Sequence, residues 1–219
     1  MGWWVQLALR VAAVALGLVP FALGVVLTLK TGLGLGPWQV LTEGLTRWLP
    51  ISFGLATNLV GLLVVLVALL LGIRPALGTL LNMVLVGIYA DLILATGLLP
   101  DYNGAGWSRP EIAGRMALMA GGIALVGLGT ALYLKGGLGA GPRDGLMLGL
   151  SLRLGRPVGV VRTGIELIVL ALGVLLGGTA GIGTLLWALG IGLAVQFWFR
   201  IMRVRPPTAR HRSVKPSGG

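Results

Sequence analysis

Six carboxylates (Glu43, Asp91, Asp101, Glu111, Asp144 and Glu166) are the only acidic side chains in 219 residues, and the single histidine, His211, stands in a Pro- and Arg-rich stretch near the C-terminus. None of them falls at a metal-ligand spacing of the H-E-x-x-H or EF-hand kind. With no cysteine there is no thiolate nucleophile and no sulfur ligand for zinc or iron. Ser52 and Ser151 come near the ends of apolar runs, but neither has the histidine or second carboxylate that hydrolytic chemistry needs. These counts lead us to expect no metal, no cofactor and no enzyme. What remains is the chemistry of binding. Arg162 and Glu166 stand one helical turn apart inside an apolar run. There they either neutralise one another as an i,i+4 pair or serve as a proton, cation or substrate contact. Asp91 is the second deep carboxylate; it is a candidate either for ion coupling or for a pair with Arg10 or Arg115. Asn58 is a further polar group within a run, able simply to hydrogen-bond a neighbouring helix.

The other candidates lie in two glycine loops, Lys30-Thr31-Gly32-Leu33-Gly34-Leu35-Gly36-Pro37 and Lys135-Gly136-Gly137-Leu138-Gly139-Ala140-Gly141-Pro142, the second followed by Arg143 and Asp144. A proline after a glycine turn starts a helix, and a helix start offers free N–H groups and a positive dipole end to an anion. The residues Gly34, Gly36 and Pro37, with Gly139, Gly141, Pro142, Arg143 and Asp144, are therefore the candidate substrate-binding set. Tight turns and close helix packing are the structural use of the same glycines. Lys30 and Lys135 snorkel most simply to headgroups.

The elements that must position these groups are membrane spans. The chain is 56% apolar with mean hydropathy +0.96, and only 11% of its residues are charged, against about a quarter in soluble domains. Apolar segments occupy 5–29, 52–72 and 75–99, then 111–134, 158–178 and 181–201, each long enough to cross a bilayer. The two sets are copies: at an offset of 105, 29 of the 83 positions from Arg10 to Leu92 are identical. Between the first and second spans of each copy lies a stretch too short to cross, 36–49 and 141–154, which we read as a Gly-Pro-initiated half-helix, either re-entrant or lying at the interface. The expected fold is thus an all-α polytopic membrane protein, with repeats at 1–105 and 106–202 and a disordered basic tail at 203–219.

Three spans per copy invert the second copy relative to the first. Charge supports this independently. The 135–157 connection carries Lys135, Arg143, Arg153 and Arg156 against Asp144, and the tail adds more arginines. The opposite connections balance Lys30 and Arg47 with Glu43, and Arg109 with Asp101 and Glu111. The positive-inside rule then places both termini in the cytoplasm. Trp3, Trp4 and Trp198 read as inner interfacial anchors, and Trp38, Trp48, Trp107 and Trp187 as outer ones. The first apolar segment, with an arginine at position 10 and a counterpart inside the chain, reads as a span and not a cleaved signal. Of the 17 basic residues behind the net charge of +11, six (Arg200, Arg203, Arg205, Arg210, Arg212 and Lys215) lie at or beyond the end of the last span, where anionic inner-leaflet lipid, not nucleic acid, is the expected partner.

The paired G-L-G-x-G-P loops, Val161-Arg162-Thr163-Gly164-Ile165-Glu166 and Gly181-Ile182-Gly183-Thr184-Leu185 resemble the YczE-like branch of the YczE/YyaS/YitT bacterial membrane proteins, over about 5–200. The resemblance implies a multi-pass protein of the bacterial inner membrane and says little of mechanism. One departure stands out: Trp38-Gln39 occupies the first loop where Arg143-Asp144 occupies the second. The leading expectation is a small secondary transporter or exporter of a small solute, bound where the two half-helices meet. The alternative is a non-transporting accessory or scaffold protein supporting a membrane-bound partner. A chain this short is small to enclose a pathway alone, which points to a homodimer.

Overall fold

The computed structural model describes residues 2–204; the expected basic tail lies, from residue 205 onward, outside the described residues. Among the described residues the chain is entirely helical. Six helices are long and apolar enough to span a membrane: α1 (Trp3–Leu29), α3 (Phe53–Leu70), α4 (Leu77–Ala95), α5 (Arg109–Lys135), α7 (Val158–Leu175) and α8 (Ile182–Met202). The remaining two are short, α2 (Pro37–Trp48) and α6 (Pro142–Leu154), each beginning with proline after an extended glycine. Each of the six long helices lies within a few residues of an apolar segment: α1 and α5 begin two residues earlier, and local chemistry shortens α3, α4 and α7. Ser52 stays outside α3 and caps it, accepting from the Leu55 N–H at 3.1 Å. Gly72, Gly97 and Gly177, at positive φ, stop α3, α4 and α7 short of the apolar runs.

The two long helices α1 and α5 form the centre. Gly17 and Gly24 on α1 meet α5, and Gly122 and Gly129 on α5 meet α1, so closely that a Cβ at Gly24 would lie 2.5 Å from the Gly122 carbonyl oxygen. In lipid, where apolar surface gives no preference for another helix, such close backbone contact is the main source of association. Helix α4 packs on α1, and α8 on α5; α2 packs on α7, and α6 on α3.

Each glycine loop binds the far half of the chain. The Gly183 N–H donates to the Leu33 carbonyl at 2.8 Å, and the Gly78 N–H to the Leu138 carbonyl at 2.8 Å. These are the same contact twice, with both residues shifted by 105. Gly34 (φ 101°) and Gly139 (φ 110°) turn the chain there in a conformation that L side chains rarely adopt. The largest departure from this correspondence is at one pair of helices: α3 and α4 pack tightly together, whereas α7 and α8 stand apart.

Candidate functional site

The starts of α2 and α6 converge on one cavity of about 450 Å³, lined elsewhere by α1, α3, α4, α5, α7 and α8. Proline at the first position fixes each start, so the first-turn N–H groups that follow have no helical acceptor. From α2 come Trp38 and Gln39, both buried; from α6 come Arg143 and Asp144. The Arg143 guanidinium lies over the Trp38 ring, 4.9 Å from its centroid, and makes no ion pair among the described residues. Such a stack is worth about 0.5–2 kcal/mol depending on desolvation. It joins two residues that are repeat counterparts. Gln39 is 3% exposed, and its Nε2 has no hydrogen-bond partner among the described residues. A buried donor without an acceptor costs about 1–3 kcal/mol.

Asp144 is held from behind. The Tyr133 hydroxyl, buried on α5, donates to it at 3.1 Å and accepts from the Gly141 N–H at 3.3 Å. Across the cavity Arg162 donates through Nε to Glu166 at 2.9 Å, the i,i+4 pair that their spacing allows. The rest of the wall, including Phe21, Val86, Met147, Ile191 and Phe199, is mainly apolar. The arrangement offers cationic and N–H donors next to two carboxylates, inside an apolar shell.

The sequence candidates separate into two groups. Gly141, Pro142, Arg143, Asp144, Arg162 and Glu166 line the cavity together. Gly36 supports it from outside the lining: a Cβ there would lie 2.6 Å from the Trp187 indole nitrogen, and Trp187 is itself in the wall. Pro37 fixes the start of α2. Gly34 and Gly139 belong to the two loop contacts, against Gly181 and Ala76. Asp91 does not line the cavity. It accepts from the Ser52 hydroxyl and, at 2.7 Å, from the Gly54 N–H, and so completes the cap of α3. Neither arginine considered for it is its partner. Arg115 instead donates to the carbonyls of Thr31, Ala105 and Gly106 at 2.6, 2.8 and 3.1 Å, with its guanidinium 4.4 Å from the Trp107 ring centroid. Asn58 sits in the α3–α4 contact, its Oδ1 without a hydrogen-bond partner among the described residues.

Two tryptophans correct the expected anchor pattern. Trp38 and Trp187 are 7% and 8% exposed and line the cavity, because α2 folds back inside the bundle instead of lying at the surface. Tyr133 was not anticipated. Its repeat counterpart is Thr28, so a hydroxyl recurs there in both copies, one turn before each loop.

The comparisons with known proteins place the chain in a family and go no further. The profile described as a family of unknown function (DUF6198) matches residues 8–200. An uncharacterized protein of Haemophilus influenzae is 40% identical over 180 residues, 82% of this chain and 78% of that one. The uncharacterized membrane protein YczE of Bacillus subtilis is 34% identical, covering 88% of this chain and 86% of its own, and YyaS of the same organism is 29% identical over 78% and 83%. No solved structure matches. The chain is an integral membrane protein belonging to the DUF6198 family, alongside its YczE-like relatives.

Proposed function

We propose that the chain is a small secondary transporter of the bacterial inner membrane, carrying a solute that bears a carboxylate or similar anionic group. The observation behind this reading is the cavity where two half-helix starts meet, with the Arg143 guanidinium, in no ion pair among the described residues, and the buried Gln39 amide turned to the same space. Free N–H groups, a dipole end and a guanidinium all favour negative charge. Asp144 and Glu166 are the groups suited to couple movement to a proton or cation, and Asp91, as the cap of α3, leaves that set. We take the two copies as inverted repeats with both termini cytoplasmic. The matched loop contacts 105 residues apart support this, as does the charge bias of the connections. The protein performs no bond chemistry in this reading, assembles as a homodimer, and meets anionic lipid through its basic C-terminal stretch.

The test is thermal unfolding of the purified protein against monocarboxylates, amino acids, phosphates and organic cations. Ligand at a hundred times its Kd stabilises by about 2.7 kcal/mol. We expect a carboxylate-bearing compound to raise the Tm of wild type and not of Arg143→Gln. Stabilisation by cations alone would overturn the anionic assignment. A screen in which nothing binds, with Arg143→Gln and Glu166→Gln supporting wild-type function in cells, would favour the accessory role beside a membrane-bound partner.

A further inference from the structure

The glycines that let α3 and α4 touch recur in the second half, where nothing uses them. Gly54 and Gly87 are buried against one another, and a Cβ on either would fall on the other's carbonyl oxygen. Their counterparts 105 residues on are again glycines, Gly159 on α7 and Gly192 on α8. Both are exposed, and a Cβ on either would meet no atom within 4 Å. Glycine inside a helix weakens it, and in the observed arrangement neither of the two makes a contact that requires glycine. An arrangement in which α7 and α8 touch as α3 and α4 do requires both.

The gap between α7 and α8 is also where the cavity runs. Val158 and Arg162 line it from one helix, Val195 and Phe199 from the other. The two halves differ in what secures the seam. In the first, Asp91 on α4 holds the Ser52 hydroxyl and the Gly54 N–H at the start of α3. The corresponding residues of the second half are Gln196, Pro157 and Gly159. Proline has no hydroxyl to give, and an amide binds less strongly than a carboxylate. The second half thus keeps the surfaces that permit approach and lacks the carboxylate lock that would make approach permanent.

We propose that the α7–α8 seam is the gate of the cavity, and that it closes by bringing Gly159 onto Gly192 as Gly54 lies on Gly87. This rests on the transport reading, in which a solute must reach and leave the Arg143–Gln39 pole. The structure is the open state of this gate. Closure narrows the cavity beside the Arg162–Glu166 pair and leaves the α3–α4 seam as it is.

The chain has no cysteine, so a Val160→Cys/Phe197→Cys variant carries spin labels at two defined, exposed positions, one on each helix of the seam. Distances are measured in lipid nanodiscs by pulsed electron resonance, in this variant and with Gly159→Leu or Gly192→Leu added. Each leucine enters open space in the present arrangement, so these variants keep the fold and hinder closure alone. We expect two distance populations in the labelled parent and loss of the shorter one with either leucine. A single distance in the parent, or a shorter population that survives both leucines, overturns the gate. The readout needs no solute, so a ligand screen in which nothing binds leaves it intact, and the two proposals fail separately.

Discussion

The two halves of the chain supply the same places in the cavity wall with different chemistry. The second contributes Arg143, Asp144, Arg162 and Glu166; at the corresponding positions, also in the wall, the first contributes Trp38, Gln39, Thr57 and Gly61. Every charge of the four pairs lies in one half. The frame around them, by contrast, is kept: the Gly-Pro helix starts, the 2.8 Å loop contacts and the central glycines recur in both. Repetition has thus preserved what packs and diversified what faces the cavity. A symmetric shell enclosing an asymmetric lining suits a site that orients its ligand, since one pole is cationic and aromatic and the other carries the ion pair.

The sharpest break between the halves is in the seams, and it gives the largest expected effect. Gly87→Leu has no room, because the Gly54 carbonyl and the Asn58 side chain already fill the position, whereas Gly192→Leu enters open space. Overpacked cores lose about 1–3 kcal/mol, and more where backbone must move. We expect Gly87→Leu to lower the Tm steeply or abolish folding, and Gly192→Leu to unfold within a few degrees of wild type. Similar losses from both would erase the distinction between a packed and an open seam.

Next in size is the lining. Arg143→Trp should weaken binding of a carboxylate-bearing ligand roughly 10- to 100-fold, the scale of a lost charge-assisted hydrogen bond. The exchange variant Trp38→Arg/Arg143→Trp returns the guanidinium from the opposite helix start with the stack intact. Recovery to within about tenfold of wild type, read by the same thermal shift, is expected if the two starts are equivalent about the cavity. If the exchange binds no better than Arg143→Trp, the frame is less symmetric than its loop contacts indicate.

A third contrast separates the deep carboxylates. Asp91→Asn weakens the cap of α3 and should cost about 1–2 kcal/mol of stability, the scale of losing a helix cap, with no change in ligand affinity. Glu166→Gln breaks an i,i+4 pair whose side chains are 43% and 25% exposed. Discounted for screening, that costs less than about 1 kcal/mol, but it should alter the pH dependence of uptake into proteoliposomes. A Glu166→Gln protein with an unchanged uptake profile would remove Glu166 from coupling.

How much of this was legible in the sequence follows from where each signal resides. The six spans and both proline starts are local matters of hydropathy and chain stiffness, and the structure moves their ends by only a few residues. The cavity lining was legible where a charge is costly in an apolar run, as at Arg162 and Glu166, or breaks the repeat, as at Arg143 and Asp144. Trp38 and Trp187 were misplaced because an indole at a span end suits an interface and a buried wall equally, and only the fold-back of α2 decides between them. Asp91 carried the same deep-carboxylate signal as Glu166, yet its partners are a hydroxyl 39 residues and an N–H 37 residues earlier in the chain. No local pattern announces that contact. Arg115 was equally silent, since its acceptors are backbone carbonyls that any residue would supply.

The smallest expected effect concerns the lysines that precede the two loops. Lys30 pairs with Asp101 at 2.5 Å; its counterpart Lys135 is exposed and makes no ion pair among the described residues. Partial burial alone would raise the Asp101 carboxyl, but hydrogen bonds from Lys30 and Asn103 outweigh it and hold the group below the usual carboxylate range. A depressed carboxylate stabilises the fold above its unfolded pKa, about 3.9, and that contribution disappears as pH falls through the lower folded value. The side chain is 45% exposed, so the pair contributes less than about 1 kcal/mol. Asp101→Asn should therefore unfold only a degree or two below wild type at pH 7, and the difference should shrink as the pH is taken from 5 to 3. Lys135→Gln should match wild type at every pH. A Lys135→Gln protein as sensitive as Asp101→Asn would mean that the second loop, too, is tied down by charge.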